Sequence, residues 1–135
     1  GLAAGLYGKE ATIYWTASKS ETDNTFRIYS TYSIGGVINS YYLSADSSVP
    51  MLSTSGSYYW TCDEHGYLMS PDEKYLTYNQ ETFSLSPNPV NAVVLYKPDG
   101  GILVPVSSIS HGGAYLLLVP VDGGYIMLKI APEAE

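Results

Sequence analysis

The tripeptide Tyr-Trp-Thr occurs twice in this chain, at residues 14–16 and 59–61, each time followed by a small residue, Ala17 or Cys62. Each copy sits in a segment of the same plan: an aromatic near the end of one apolar run, a polar turn, then a second run. The segments are IYWTASKSETDNTFRIYS (13–30) and YYWTCDEHGYLMS (58–70); a third, VVLYKPDGGILVP (93–105), carries Leu95-Tyr96 in that place. Another motif recurs in YYLSADSSVPMLSTS (41–55), KYLTYNQETFSLS (74–86) and AYLLLVPVDGGYIMLKI (114–130), each built on a Tyr-Leu pair: Tyr42-Leu43, Tyr75-Leu76 and Tyr115-Leu116. The two motifs alternate, so the chain reads as three pairs. A unit that recurs in this way buries its apolar face against its own copies. Four strands to a pair predict twelve short strands.

The local pattern supports strands throughout. No stretch keeps apolar residues at three- and four-residue spacing for three helical turns. Short β-branched and aromatic runs are broken by the turn dipeptides Asp99-Gly100, Asp122-Gly123, His65-Gly66, Ser55-Gly56 and Gly112-Gly113. The 135 residues suit one all-β domain, with 1–10 expected as an N-terminal arm and 131–135 as the start of a linker.

With the motifs in view, the sequence resembles a β-trefoil. KYLTYNQETFSLS, with a later aromatic strand and GGILV, is similar to the units of fascin-like trefoils and, more loosely, to ricin-type lectin units. The resemblance covers about residues 11 to 130 and implies three units closing a barrel, so that strand edges are removed. Two departures stand out. The Gln-x-Trp signature of ricin-type units is missing, since Ile13 and Tyr58 stand two residues before Trp15 and Trp60. The chain also starts on the aromatic half of a unit and ends on a Tyr-Leu half, as a circular permutation would, which places the two ends together. A β-sandwich is the alternative architecture. The expected inward set is Trp15, Trp60, Tyr96, Leu43, Leu76, Leu116, Ile28, Leu68, Leu103, Leu85 and Leu128, with Trp15, Trp60 and Tyr96 equivalent.

Chemistry first suggests itself at Cys62-Asp63-Glu64-His65, which holds the chain's one cysteine and one of its two histidines. Alignment with the other copies makes Cys62 a small residue beside a core aromatic, expected as a buried free thiol. The next three residues become a turn, whose side chains diverge, whereas zinc needs three or four converging ligands. The second histidine, His111, lies in another loop. No Gly-x-Ser-x-Gly elbow and no Gly-x-x-x-x-Gly-Lys loop is present. The acidic residues lie mostly in turns or terminal segments, where solvation explains them. No catalysis, cofactor or metal is therefore expected.

The formal charge of −7, with six basic residues, leaves no basic patch for nucleic acid or an anionic membrane. No apolar run approaches the roughly 18 residues of a membrane helix, so membrane insertion is not expected. Fourteen tyrosines among few charges suggest an extracellular, ligand-facing surface in a larger protein. Sugars bind by stacking on aromatic rings and by hydrogen bonds to Asp, Asn or Glu. In the resembling lectins a carboxylate or amide near the first-strand end of a unit works with an aromatic about a dozen residues on. The positions that this pattern implies here are Asp46 with Tyr58, then Tyr78 and Asn79, then Asp122 and Tyr125. The expected partner is a carbohydrate or glycosylated surface. The alternative is a protein-interaction or adhesion module using the apolar loop 31–40, TYSIGGVINS, or a structural spacer.

Overall fold

A computed structural model describes residues 2–6, 14–80 and 82–132, and all regular secondary structure among them is β-strand. The strands are β1 (Leu2–Leu6), β2 (Trp15–Lys19), β3 (Phe26–Ile34), β4 (Val37–Asp46), β5 (Val49–Ser53), β6 (Thr61–Cys62), β7 (Leu68–Met69), β8 (Tyr75–Asn79), β9 (Thr82–Ser86), β10 (Val94–Asp99), β11 (Ile102–Pro105), β12 (Ala114–Val121) and β13 (Gly124–Pro132). The last twelve are described below in three successive sets of four.

The first set pairs β2 to β3, β3 to β4 and β4 to β5 in antiparallel order, and the second runs β6-β7-β8-β9 in the same way. In the third, β10 pairs with both β11 and β12, and β12 with β13. Bridges join the sets. Phe26 pairs with Trp60, Tyr67 with Val94, and β12 closes on β2 through Ala114 with Thr16 and Tyr115 with Trp15. The ladders make two sheets, one of nine strands and one of four (β6–β9), and only with the isolated bridges at Trp60 and Tyr67 counted do β2-β3-β6-β7-β10-β12-β2 form a circuit. Closing a sheet on itself satisfies backbone groups that an open edge leaves unpaired. Within the expected N-terminal arm, β1 adds to β13, with Leu2 opposite Pro132, so these two segments lie side by side.

The main core holds Trp15, Ala17, Phe26, Ile28, Leu43, Leu52, Trp60, Leu68, Leu76, Val93, Leu95 and Leu117, all buried. Seven of the expected inward residues follow the reading: Trp15, Ile28, Leu43, Trp60, Leu68 and Leu76 are fully enclosed, and Leu85 packs half-buried against the cluster. The third set slips. Tyr96 and Leu116 sit in a second cluster with Val94 and Leu118, with Leu103 half-buried on it. Leu95 and Leu117 take the main-core places instead. Successive strand residues face opposite ways, so a shift of one residue exchanges the faces. Tyr96 is therefore not equivalent to Trp15 and Trp60. Leu128 lies outside the described side chains.

Segment 31–40, expected as a loop, is the tip of a long β3–β4 hairpin. Gly35 and Gly36 form its two-residue turn with φ of +59° and +81°. Both values lie where a side chain is disfavoured, and their matched left-handed pair is the turn that suits the strand twist of a hairpin.

Candidate functional site

Residues 59–61 carry both a core and a surface function because a strand alternates. Trp60 turns inward, and its indole Nε1 donates to the Leu43 carbonyl at 2.8 Å. Tyr59 and Thr61, on either side of it, turn outward. They meet Ser20, Asp23 and Thr25 of the β2–β3 connection and Pro71 of the β7–β8 turn. Together these six residues line an open groove of about 330 Å3. The Phe26–Trp60 bridge fixes the two walls, with reciprocal backbone hydrogen bonds of 2.9 and 2.7 Å.

The groove has an aromatic wall and a charged, hydroxyl-bearing rim. The Arg27 guanidinium lies 5.5 Å from the centre of the Tyr59 ring and 5.4 Å from that of Tyr42. It also donates from Nη1 to the Gly56 carbonyl at 3.1 Å and from Nη2 to the Ser18 hydroxyl at 2.9 Å. Gly56 leaves the space for it, since a Cβ there would stand 2.7 Å from Nη1. Tyr59 is therefore held by a cation that is itself anchored on two strands and a loop. Asp23 accepts hydrogen bonds from the Thr25 side chain and backbone, and the first of these does most to hold its carboxyl below the usual range. Thr25 uses Oδ1, the Ser20 hydroxyl also bonds this carboxylate, and an ionised carboxylate has about four lone-pair sites in all.

Of the residues implied by the lectin resemblance, Asp122 lines an open depression of about 500 Å3 with Val90, Asn91, Pro120 and Val121, and the Tyr78 N–H donates to the Asn91 carbonyl at 3.0 Å. Asp46 is exposed at the end of β4. Tyr58 packs its ring 5.0 Å from that of Trp60, and its hydroxyl bonds to Ser70. Burial, with a smaller contribution from Asp72, pushes that hydroxyl's pKa up, so Tyr58 faces the β7–β8 turn. Tyr78 is 7% exposed and stacks on Phe83 at 4.9 Å, which removes its ring from any ligand. Its neighbour Asn79 is exposed at the β8–β9 turn. Asp122 is exposed in the β12–β13 turn, and Tyr125, exposed near the start of β13, has its ring 5.5 Å from that of Tyr96. Sequence reading missed the groove because it followed the lectin spacing. The available signal was strand alternation: a buried Trp60 requires Tyr59 and Thr61 to face out beside the polar ETDNT turn.

The Cys62–His65 stretch is a closed turn. The Asp63 carboxylate accepts from the backbone N–H groups of His65 and Tyr67 at 2.9 and 3.0 Å. Glu64 and His65 point into solvent 3.5 Å apart. Cys62 is free and half-buried rather than enclosed, because it lines a pocket of about 160 Å3 with Lys19, Asn24, Ser107, Ser108 and Ile109. Burial first, then the Asp63 charge, pushes its thiol pKa up, which disfavours the thiolate that nucleophilic chemistry needs. Among the described residues no three His, Cys, Asp or Glu side chains group as a metal site. The chain matches no protein-family model, no curated protein and no solved structure.

Proposed function

We propose that the chain is a non-catalytic binding module of a larger extracellular protein, and that its ligand is a carbohydrate held in the Tyr59–Asp23 groove. The observation that carries this reading is the juxtaposition of one immobilised ring with a carboxylate and hydroxyls along an open cleft. A sugar offers C–H faces to the first and hydroxyls to the second. Arg27 holds the ring in advance, so little side-chain freedom is lost on binding. The charge of −7 disfavours polyanionic glycans and leaves neutral or amino sugars as the class.

The fold we assign to the module is a β-trefoil. Support comes from three sets of four strands, the six-strand circuit that the isolated bridges complete and the adjacency of β1 and β13. A glycan-array screen tests the function, with Tyr59→Ala and Asp23→Asn as the discriminating variants. Binding lost by at least ten-fold in Tyr59→Ala is expected. No bound glycan, or binding untouched by both substitutions, refutes the site.

A further inference from the structure

The β3–β4 hairpin carries a second surface that the groove does not use. Between Arg27 and Asp46 no residue is charged, in a chain whose net charge is −7. Beyond Tyr29 and Tyr42 the two strands pair, among the described residues, only with each other, down to Ile34 opposite Val37. Among the described residues nothing lies within 4 Å of where a side chain at Gly35 or Gly36 would begin, so the turn projects away from them. Val37 and Ile38 are 59% and 70% exposed.

The two faces of this hairpin have one design. Neighbouring strand residues face opposite ways, so Val37 belongs to one face and Ile38 to the other. Behind Val37 the rings of Tyr32 and Tyr41 pair at 5.9 Å, and behind Ile38 those of Tyr29 and Tyr42 pair at 5.2 Å. Each face therefore runs from an aliphatic tip through hydroxyl and amide residues to a tyrosine pair. A protein groove takes up one face or one edge of such a hairpin. An environment that is apolar on all sides, with a polar boundary above it, matches both faces at once.

We propose that this tip seats in the interface of a zwitterionic phospholipid bilayer. From Ile38 to Tyr42 the strand spans about 14 Å. The polar region of one leaflet is roughly 5–8 Å thick, so with the tyrosines at its outer boundary an upright hairpin carries its aliphatic tip some 6–9 Å past the acyl boundary. Tyrosine suits that outer level because its ring is apolar and its hydroxyl wet. Deeper entry is opposed by the backbone groups on the outer edges of the hairpin, which hydrocarbon cannot satisfy. The acidic body selects zwitterionic over anionic lipid. A contact of this kind needs neither the long apolar run nor the basic patch whose absence made membrane insertion unexpected from the sequence.

Flotation with phosphatidylcholine vesicles tests the proposal. The native protein is expected to float with the lipid. The double substitution Val37→Asp/Ile38→Asp is expected to lower its partition coefficient about ten-fold or more. Both positions are exposed, and an unchanged near-ultraviolet dichroism of the buried Trp15 and Trp60 verifies that the fold is kept. In Ile38→Trp, lipids brominated on the acyl chain should quench the introduced indole while the two enclosed tryptophans are spared. A native protein that stays at the bottom of the gradient overturns the proposal. So does flotation that survives the double substitution, affinity that rises with anionic lipid, or a tip that captures a soluble protein and no lipid.

Discussion

Trp60 and Leu95 both lie in the main core, and each is flanked by two outward-facing residues, but the two outer faces have opposite fates. Beside Trp60, Tyr59 and Thr61 open onto the groove. Beside Leu95, Val94 and Tyr96 are buried with Leu116 and Leu118 in a second small core. The difference arises in the third set of strands. There β12 pairs directly with β10, bringing Leu116 opposite Tyr96 and Leu118 opposite Val94. Residues flanking a core position therefore face an open groove at Trp60 and a packing surface at Leu95. What decides is whether a neighbouring strand lies over them. Tyrosine tolerates both fates, because its ring is apolar and its hydroxyl is not.

The contrast can be broken most forcefully in the core. Trp60→Ala should cost about 3–5 kcal/mol by denaturant unfolding. Tyr96→Ala should cost about 2–4 kcal/mol, because its ring is covered, while Tyr59→Ala at the open face should stay near 1 kcal/mol. Equal effects of Tyr59→Ala and Tyr96→Ala would remove the distinction between the two faces.

Gly66 sharpens the contrast at the seam between the second and third sets. Its φ is +85°, and an added Cβ would stand 2.9 Å from the Val106 carbonyl oxygen and 3.0 Å from Val94. Its own carbonyl accepts from the Leu95 N–H at 2.9 Å. Gly66→Ala is expected to destabilise by about 2–4 kcal/mol, measured in the same way. Retained stability would mean that the third set does not close on this turn.

The two tryptophans give a smaller test. Trp60 Nε1 is hydrogen-bonded to Leu43, whereas Trp15 Nε1 is buried with no partner among the described residues. Trp60→Phe leaves the Leu43 carbonyl without its donor and should cost about 1 kcal/mol more than Trp15→Phe, which breaks no bond to a described residue. The reverse order would contradict the hydrogen bond.

Alkaline pH should show the smallest effect. Burial raises the pKa of Cys62 above its ordinary 9.0 and those of Tyr32, Tyr58 and Tyr96 above their ordinary 10.0. Below those ordinary values all four are protonated in both folded and unfolded chains. As pH rises past them, the unfolded chain releases its protons first and so binds fewer than the folded one, and stability falls. Denaturant midpoints compared at neutral pH and above pH 10 should decrease, and Tyr96→Phe should lessen the decrease. A flat profile would mean that these hydroxyls are solvated.

Much of the chain was legible in the sequence because alternation and turn chemistry are local. The β class and the core places of Trp15, Trp60, Leu43 and Leu76 follow from them. The slip at Tyr96 was not legible. Leu95-Tyr96 offers an apolar residue to either face, and the pairing with β12 decides between them. The hairpin at 31–40 was hidden by a Gly-Gly turn flanked by Ile34 and Val37, which reads equally as a loop. Of the implied site residues, Tyr78 is taken up by packing on Phe83, and Tyr58 is half-buried against Trp60. Spacing along a strand says where a tyrosine faces but not what covers it.

The groove itself is tested most directly by backbone amide shifts of the labelled protein during titration with neutral and amino-sugar oligosaccharides. Saturable shifts confined to residues 20–25 and 59–61, absent in Tyr59→Ala, are the predicted result. Shifts that centre on Tyr96 and Tyr125, or no shifts with any sugar that the array retains, would contradict it.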